Sequence, residues 1–259
     1  MTMKTVIKYH DHLWNKARRH LKEFLIHRKA DDLHQFRTKI KQLYAIFDLI
    51  SFFEADFDSD KNLKVISRMY DSSGEIRDDY ITSELAVNYK LTLLTSTEYQ
   101  LKFDGHVEKL KDYYRHTAST WSSAKSKGQK YLKNKTEDDF QLFAAYIISK
   151  VRKAMASANT DKEFHQIRKD IKQYLTIIDV LELAGQVVTE KVNSEELNHI
   201  QHLIGCKHDI EKLLKRVNYK NLSKGTSPNV VRVIKDEENM AVEILAAFKN
   251  FAKINYETL

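Results

Sequence analysis

His34-Gln35-x-Arg37-x-x-Ile40-Lys41-Gln42 recurs as His165-Gln166-x-Arg168-x-x-Ile171-Lys172-Gln173, 131 residues further along the chain. A second pair keeps the same offset: Gly74-x-x-Arg77-Asp78 stands against Gly205-x-x-His208-Asp209. Two separate motifs in one register imply duplication of a unit about half the chain in length. What is repeated is cationic as well as apolar. That suggests two similar faces offering positive charge to one ligand.

Set on a helix at about 100° per residue, with His34 at zero, Arg37 falls near 300° and Lys41 near 340°. Leu33, Phe36, Ile40, Leu43 and Phe47 fall at roughly 180–260°. The second copy repeats the picture. His165, Arg168, Lys169 and Lys172 take one side, and Phe164, Ile167, Ile171, Tyr174 and Ile178 the adjoining apolar side. The cations therefore border the buried face, where a groove between helices would lie. Like charges at i, i+3 and i+4 repel by a few tenths of a kcal/mol per pair, roughly. Neither stripe contains an acid to relieve this, and Asp170 is expected on the far side. A bound anion would relieve it. Arginine offers a fork to phosphate oxygens, lysine a movable charge, and histidine a charge that grows as pH falls.

Other repeat-matched cations are Arg19 with Lys150 and Lys22 with Lys153, on the helix before each stripe. They could form a second wall of the groove. Asp78 and Asp209 are expected to be structural, as acids at a helix N-terminus or as orienting partners of a nearby Arg or His.

The composition agrees with a helical reading. The chain of 259 residues has one Pro and six Gly, and strand patterns are hard to find in it. The spacing predicts an all-α protein of ten helices, near 5–28, 31–53, 60–72, 75–95 and 98–125, then 137–157, 161–184, 194–203, 206–217 and 229–256. Gly74 and Gly205 read as left-handed caps between helices. Thr160-x-x-Glu163 reads as a capping box, and Pro228 as a helix start. Repeat one covers 1–125 and repeat two 137–259, with 126–136 as linker. The Ser- and Lys-rich run from Ser122 to Lys135 reads as solvated. Val187-Val188 would suit a short hairpin.

The net charge of +7 favours a polyanionic partner without naming one. Cys206 stands alone, so no internal disulfide forms and a reducing, cytoplasmic setting is expected. No apolar run reaches the ~20 residues a membrane helix needs, and no secretory leader is evident.

The H-x-x-R-x-x-x-K helix, present twice and each time followed by a Gly and an R/H-D pair, resembles the CHAD domain, the conserved histidine α-helical domain. The resemblance covers essentially the whole chain. It implies two helical bundles related by a pseudo-twofold axis, with basic residues lining a central groove that binds inorganic polyphosphate. Some members of that family associate with polyphosphate granules. Carried over residue by residue, it implies a ligand set of His34, Arg37, Lys41, Arg77, His165, Arg168, Lys169, Lys172 and His208. The chain departs from the family at Gln42, Leu43 and Tyr44, where further basic residues are common, and Thr38 stands opposite Lys169. The first half is thus expected to bind less strongly. There is no E-x-E-x-K stretch like that of a CYTH triphosphatase, so the chain looks like a standalone, non-catalytic member needing no cofactor.

Four rival readings compete. His199, His202, Cys206 and His208 could hold a metal, although a helix break at Gly205 would loosen their geometry. A basic helical protein could bind RNA through phosphates, but the aromatics beside the stripes fall on the core side rather than forming stacking platforms. An acidic protein partner could dock in the basic groove. An enzyme is disfavoured: H-E-x-x-H, G-x-S-x-G and a complete P-loop are all missing, and Ser223-Lys224-Gly225-Thr226 lacks the glycine-rich approach.

Overall fold

The computed structural model describes residues 3–91, 96–117, 120–189, 192–217 and 227–256. Within these the protein is all-α, with nine helices and no strand among the described residues. They are α1 (Met3–His27), α2 (Ala30–Phe53), α3 (Ser59–Asn88), α4 (Ser96–Thr117), α5 (Thr120–Leu132), α6 (Glu137–Ser157), α7 (Asp161–Leu183), α8 (Ser194–Val217) and α9 (Pro228–Tyr256). The Ser223 to Thr226 stretch lies outside the described residues.

Several boundaries have the local causes the sequence suggests. In the Thr160 box, the Glu163 amide donates to Thr160 Oγ1 at 3.3 Å and the Thr160 amide to Glu163 Oε2 at 2.9 Å. The Asn159 amide, the Thr160 hydroxyl and the Thr160 amide all donate to the Glu163 carboxylate and hold it below its usual range. Thr136 and Asp139 make the same exchange before α6. Asn193 Oδ1 accepts from the amides of Glu195 and Glu196 at the start of α8. Pro228 is the first residue of α9, where its missing N–H costs nothing. Gly185, at φ 74°, closes α7, and its amide donates to Glu182 O.

Two expected breaks do not occur. Gly74 lies inside α3 and Gly205 inside α8, so each pair of expected short helices is one long helix. The glycines are there for room rather than for a left-handed turn. A Cβ on Gly74 would stand 3.3 Å from Arg37 Nη1, and one on Gly205 2.7 Å from Arg168 Nη2. The single helix expected over 98–125 is instead two, α4 and α5. The Ser- and Lys-rich run is not a solvated linker: it is largely α5, which buries Trp121, Ala124, Gly128 and Leu132. Their spacing of three, four and four residues is a helical stripe. The segment around Val187-Val188 forms no hairpin among the described residues.

The chain divides into two compact units, each assembled from separated segments. Unit one comprises 1–77, 103–147 and 172–191, and unit two 78–102, 148–171 and 192–259.

Unit one has an aromatic core. Trp14 packs against Trp121 with ring centroids 5.8 Å apart, and Phe47 against Phe57 at 5.5 Å. His10 is fully buried there; its Nε2 accepts from Trp14 Nε1 at 2.8 Å. Burial drives its pKa down to about 4, against the pull of Asp11. The unfolded chain then binds a proton at His10 more readily than the folded one. Stability is therefore expected to fall as pH drops from about 6.5 to about 4, by up to ~3 kcal/mol from this group alone. Urea titrations at stepped pH would measure it. His10→Gln, which keeps an acceptor for Trp14, should show a flatter profile over that window.

Unit two packs Ala86 of α3 with Ile210, Leu213 and Leu214 of α8 and Val230 and Val233 of α9. Phe164 and Phe248 meet at 5.7 Å. Arg216 pairs with the buried Asp79, and Tyr89 donates to Asp236 at 2.8 Å.

Candidate anion-binding site

The repeated arginines are held in the same way in the two units. In unit one Arg37 Nη1 donates to Tyr70 O at 2.5 Å and to Ser73 Oγ at 2.8 Å. Its guanidinium also lies 4.1 Å from the centre of the Tyr70 ring. In unit two Arg168 Nε donates to Gln201 O at 3.0 Å. Tyr70 and Gln201 are themselves 131 residues apart. The register of the sequence repeat is therefore also the register of these contacts. Each arginine passes over a glycine to reach a carbonyl inside the next repeat-matched helix. An acceptor inside a regular helix is already bonded, so these are second bonds to a carbonyl with a spare lone pair. The contacts fix where each guanidinium sits.

Around Arg37, unit one gathers His34 and Lys41 from α2, Arg77 from α3 and Lys172 from α7. Burial, then Lys41, and more weakly Lys172 and Arg77, push the His34 imidazole below its ordinary pKa, with Asp31 pulling the other way. Further along α2, α7 meets it where Gln173 Nε2 donates to Asp48 Oδ2 at 2.9 Å.

Unit two gathers His165, Arg168 and Lys169 from α7 with His208 and Lys212 from α8. The His165 and His208 rings lie 5.3 Å apart. Burial, then His208, Lys169, Arg168 and Lys212 depress the His165 imidazole. An acid stands beside the pair: Glu211 Oε2 lies 3.7 Å from His208 Nδ1. Lys212 also pairs with Asp78. Lys212 was not among the residues expected from sequence, although it follows His208 by one helical turn.

The other expected residues are placed differently. Lys150 does not join the cluster: its ammonium binds Asp170 Oδ1 at 3.0 Å. Asp170 is not on a solvated far side either. It is 4% exposed and also accepts from Gln166 at 2.8 Å. A buried carboxylate needs such partners, and that need takes up Lys150. Arg19 lies beside His20 on α1, at 3.3 Å. Lys22 and Lys153 are exposed, and none of the described contacts ties them to either cluster. Asp78 and Asp209 sit mid-helix rather than at helix starts. Asp78 orients Lys212, whereas Asp209 raises the pKa of the Cys206 thiol, behind the larger effect of burial.

The metal candidates do not assemble. Cys206 Sγ lies 3.5 Å from His202 Nε2. Among the described residues, however, the one group of three possible ligand residues that converges is the carboxylates Asp161, Glu211 and Glu237. That group already surrounds a cation, the ammonium of Lys207. Among the described residues no helix is long and apolar enough to cross a membrane.

The arrangement suits one kind of chemistry. Each cluster offers several donors at short spacing along one flank, with few acids. It can bind a multiply charged anion. Comparison with protein-family models, with curated proteins and with solved structures finds no match to this chain.

Proposed function

We propose that the protein is a non-catalytic binder of inorganic polyphosphate, held on the two cation clusters, and that it is a member of the CHAD family arising by internal duplication. One observation carries the reading. Three matched cations recur in the two units, His34 with His165, Arg37 with Arg168 and Arg77 with His208, and each arginine donates to a helix carbonyl in the same register. A solubilising face has no reason to keep that register. An anion with many identical charged groups gives one, since each unit can grip an equivalent stretch. A cytoplasmic location, with association to polyphosphate granules, follows from this reading rather than from the fold.

The aromatic rings argue against an RNA-specific site. Phe36, Phe47, Phe164 and Tyr174 are buried, and Tyr70 is covered by Arg37. Bases would find no open stacking platform on them. Polyphosphate needs none.

The test is a calorimetric titration with medium-chain polyphosphate at two salt concentrations, with RNA and pyrophosphate as competitors. Affinity should fall steeply with salt, because neutralising several phosphates releases counterions. RNA at matched charge should not displace the bound chain. Affinity should also rise as pH falls, but below the usual imidazole range near ~6.5, because His34 and His165 are depressed in the free protein. Salt-insensitive binding, or ready displacement by RNA, would contradict the reading; no binding would make an acidic protein segment the ligand to try.

A further inference from the structure

A second group of cations lies in unit one, on the other border of α2. The hairpin of α1 and α2 turns at Arg28, whose φ is 58°. His20 Nδ1 lies 3.0 Å from Asp32 Oδ1, which fixes the facing flanks of the two helices. Lys39 stands two turns after Asp32 on α2. Lys16 and His12 stand one and two turns before His20 on α1, and Arg19 follows on the same edge. In an antiparallel pair these two runs advance side by side, so His12 and Lys16 come opposite Lys39. Measured as before from His34, Lys39 falls near about 140° while Lys41 falls near about 340°. The buried stripe of α2 separates the two groups.

The cations of this edge are held together without acids to match. Lys39 Nζ donates to Gln42 Oε1 at 3.0 Å. Asp32 is taken up by His20, and Glu23 lies 3.4 Å from His27. Among the described residues no carboxylate forms an ion pair with Lys16, Arg19 or Lys39; Asp179 only acts on Lys39 through its field. The mutual repulsion is felt. Burial, then Lys16, Lys39 and Arg19 lower the His12 imidazole, and burial, then Lys16 lower the Lys39 ammonium. Such a gathering costs stability unless an anion relieves it.

We propose that this edge of the hairpin, formed by His12, Lys16, Arg19 and Lys39, is a second oligophosphate-binding site, separate from the His34 cluster. The choice of ligand rests on the polyphosphate reading; the site itself does not. Arg19 supplies a fork, the two lysines supply point charges, and His12 donates from its ring once protonated.

The experiment follows the His12, His34 and His165 ring resonances of the full chain by NMR while tripolyphosphate is added. Three proteins are compared: the wild type, Lys16→Gln/Lys39→Gln and His34→Gln/Lys41→Gln. Bound anion should raise the His12 pKa by on the order of one unit. That response should persist in His34→Gln/Lys41→Gln. In Lys16→Gln/Lys39→Gln it should require at least ~10-fold more ligand. Lys16→Arg/Lys39→Arg, which keeps the charges, should restore it and so separates lost binding from lost folding. If His12 stays silent while His34 and His165 respond, this site is wrong and the polyphosphate reading stands. If all three stay silent, both fail. An unchanged His12 response in Lys16→Gln/Lys39→Gln would also overturn the site.

Discussion

Replacing Lys207 with methionine should destabilise the protein by about 3–5 kcal/mol, the usual cost of removing one partner from a buried ionic group. Lys207 is 4% exposed, and its ammonium is bound by Asp161 Oδ1 at 2.6 Å and by Glu211 and Glu237. The three acids come from α7, α8 and α9, so one side chain ties together three helices of unit two. Burial lowers the lysine pKa, but the hydrogen bonds it donates to these carboxylates raise it by more, and against the effect of burial His208 and Lys207 hold Glu211 well below the usual carboxylate range. Methionine fills much the same volume, so little of the loss would come from a cavity. What remains is three carboxylates facing one another without a cation. Urea unfolding near pH 7 would measure the loss. The deficit should shrink as pH falls towards ~4, where the orphaned acids take up protons and cease to repel. A variant as stable as the wild type would mean that solvent reaches this group freely.

The helical class was legible because α2 and α7 carry apolar residues at helical spacing without Gly or Pro inside. The capping box at Thr160 and the start at Pro228 were legible because both act within one turn. The errors share a cause: each depends on a partner far along the chain. A glycine in a polar context reads as a helix end, yet Gly74 is small because Arg37 crosses it, 37 positions away. The stripe of α5 was hidden because Ala124 and Gly128 are small, and a scan for large apolar residues passes over them. In the candidate site, the repeated His, Arg and Lys positions were readable from the register alone. The grouping of Lys172 with His34, and of Lys212 with His165, was not. Nor was the capture of Lys150 by Asp170, because a buried acid looks like any other acid in a sequence.

Removing cations from both clusters should cost most of the polyphosphate affinity while leaving the fold as stable as before, or more so. The variant is His34→Gln/Lys41→Gln combined with His165→Gln/Lys169→Gln, which removes two members from each unit. It spares Arg37 and Arg168, whose bonds to Tyr70 O and Gln201 O give them a structural part that would confuse the result. It also spares Lys212, which Asp78 neutralises. A fall in affinity of at least ~100-fold is expected, equivalent to about 2.7 kcal/mol spread over four lost charges or donors. The slope of affinity against salt should become shallower, since fewer phosphates are neutralised. The expectation for stability has the opposite sign. His34 and His165 are depressed first by burial and then by their cationic neighbours, and that second effect is repulsion. Relieving the repulsion should hold the melting temperature steady or raise it slightly. Residues kept for the fold lower stability when removed, whereas residues kept for a ligand do not. A variant that binds normally would clear the stripes of any role in binding, and one that melts early would make them part of the scaffold.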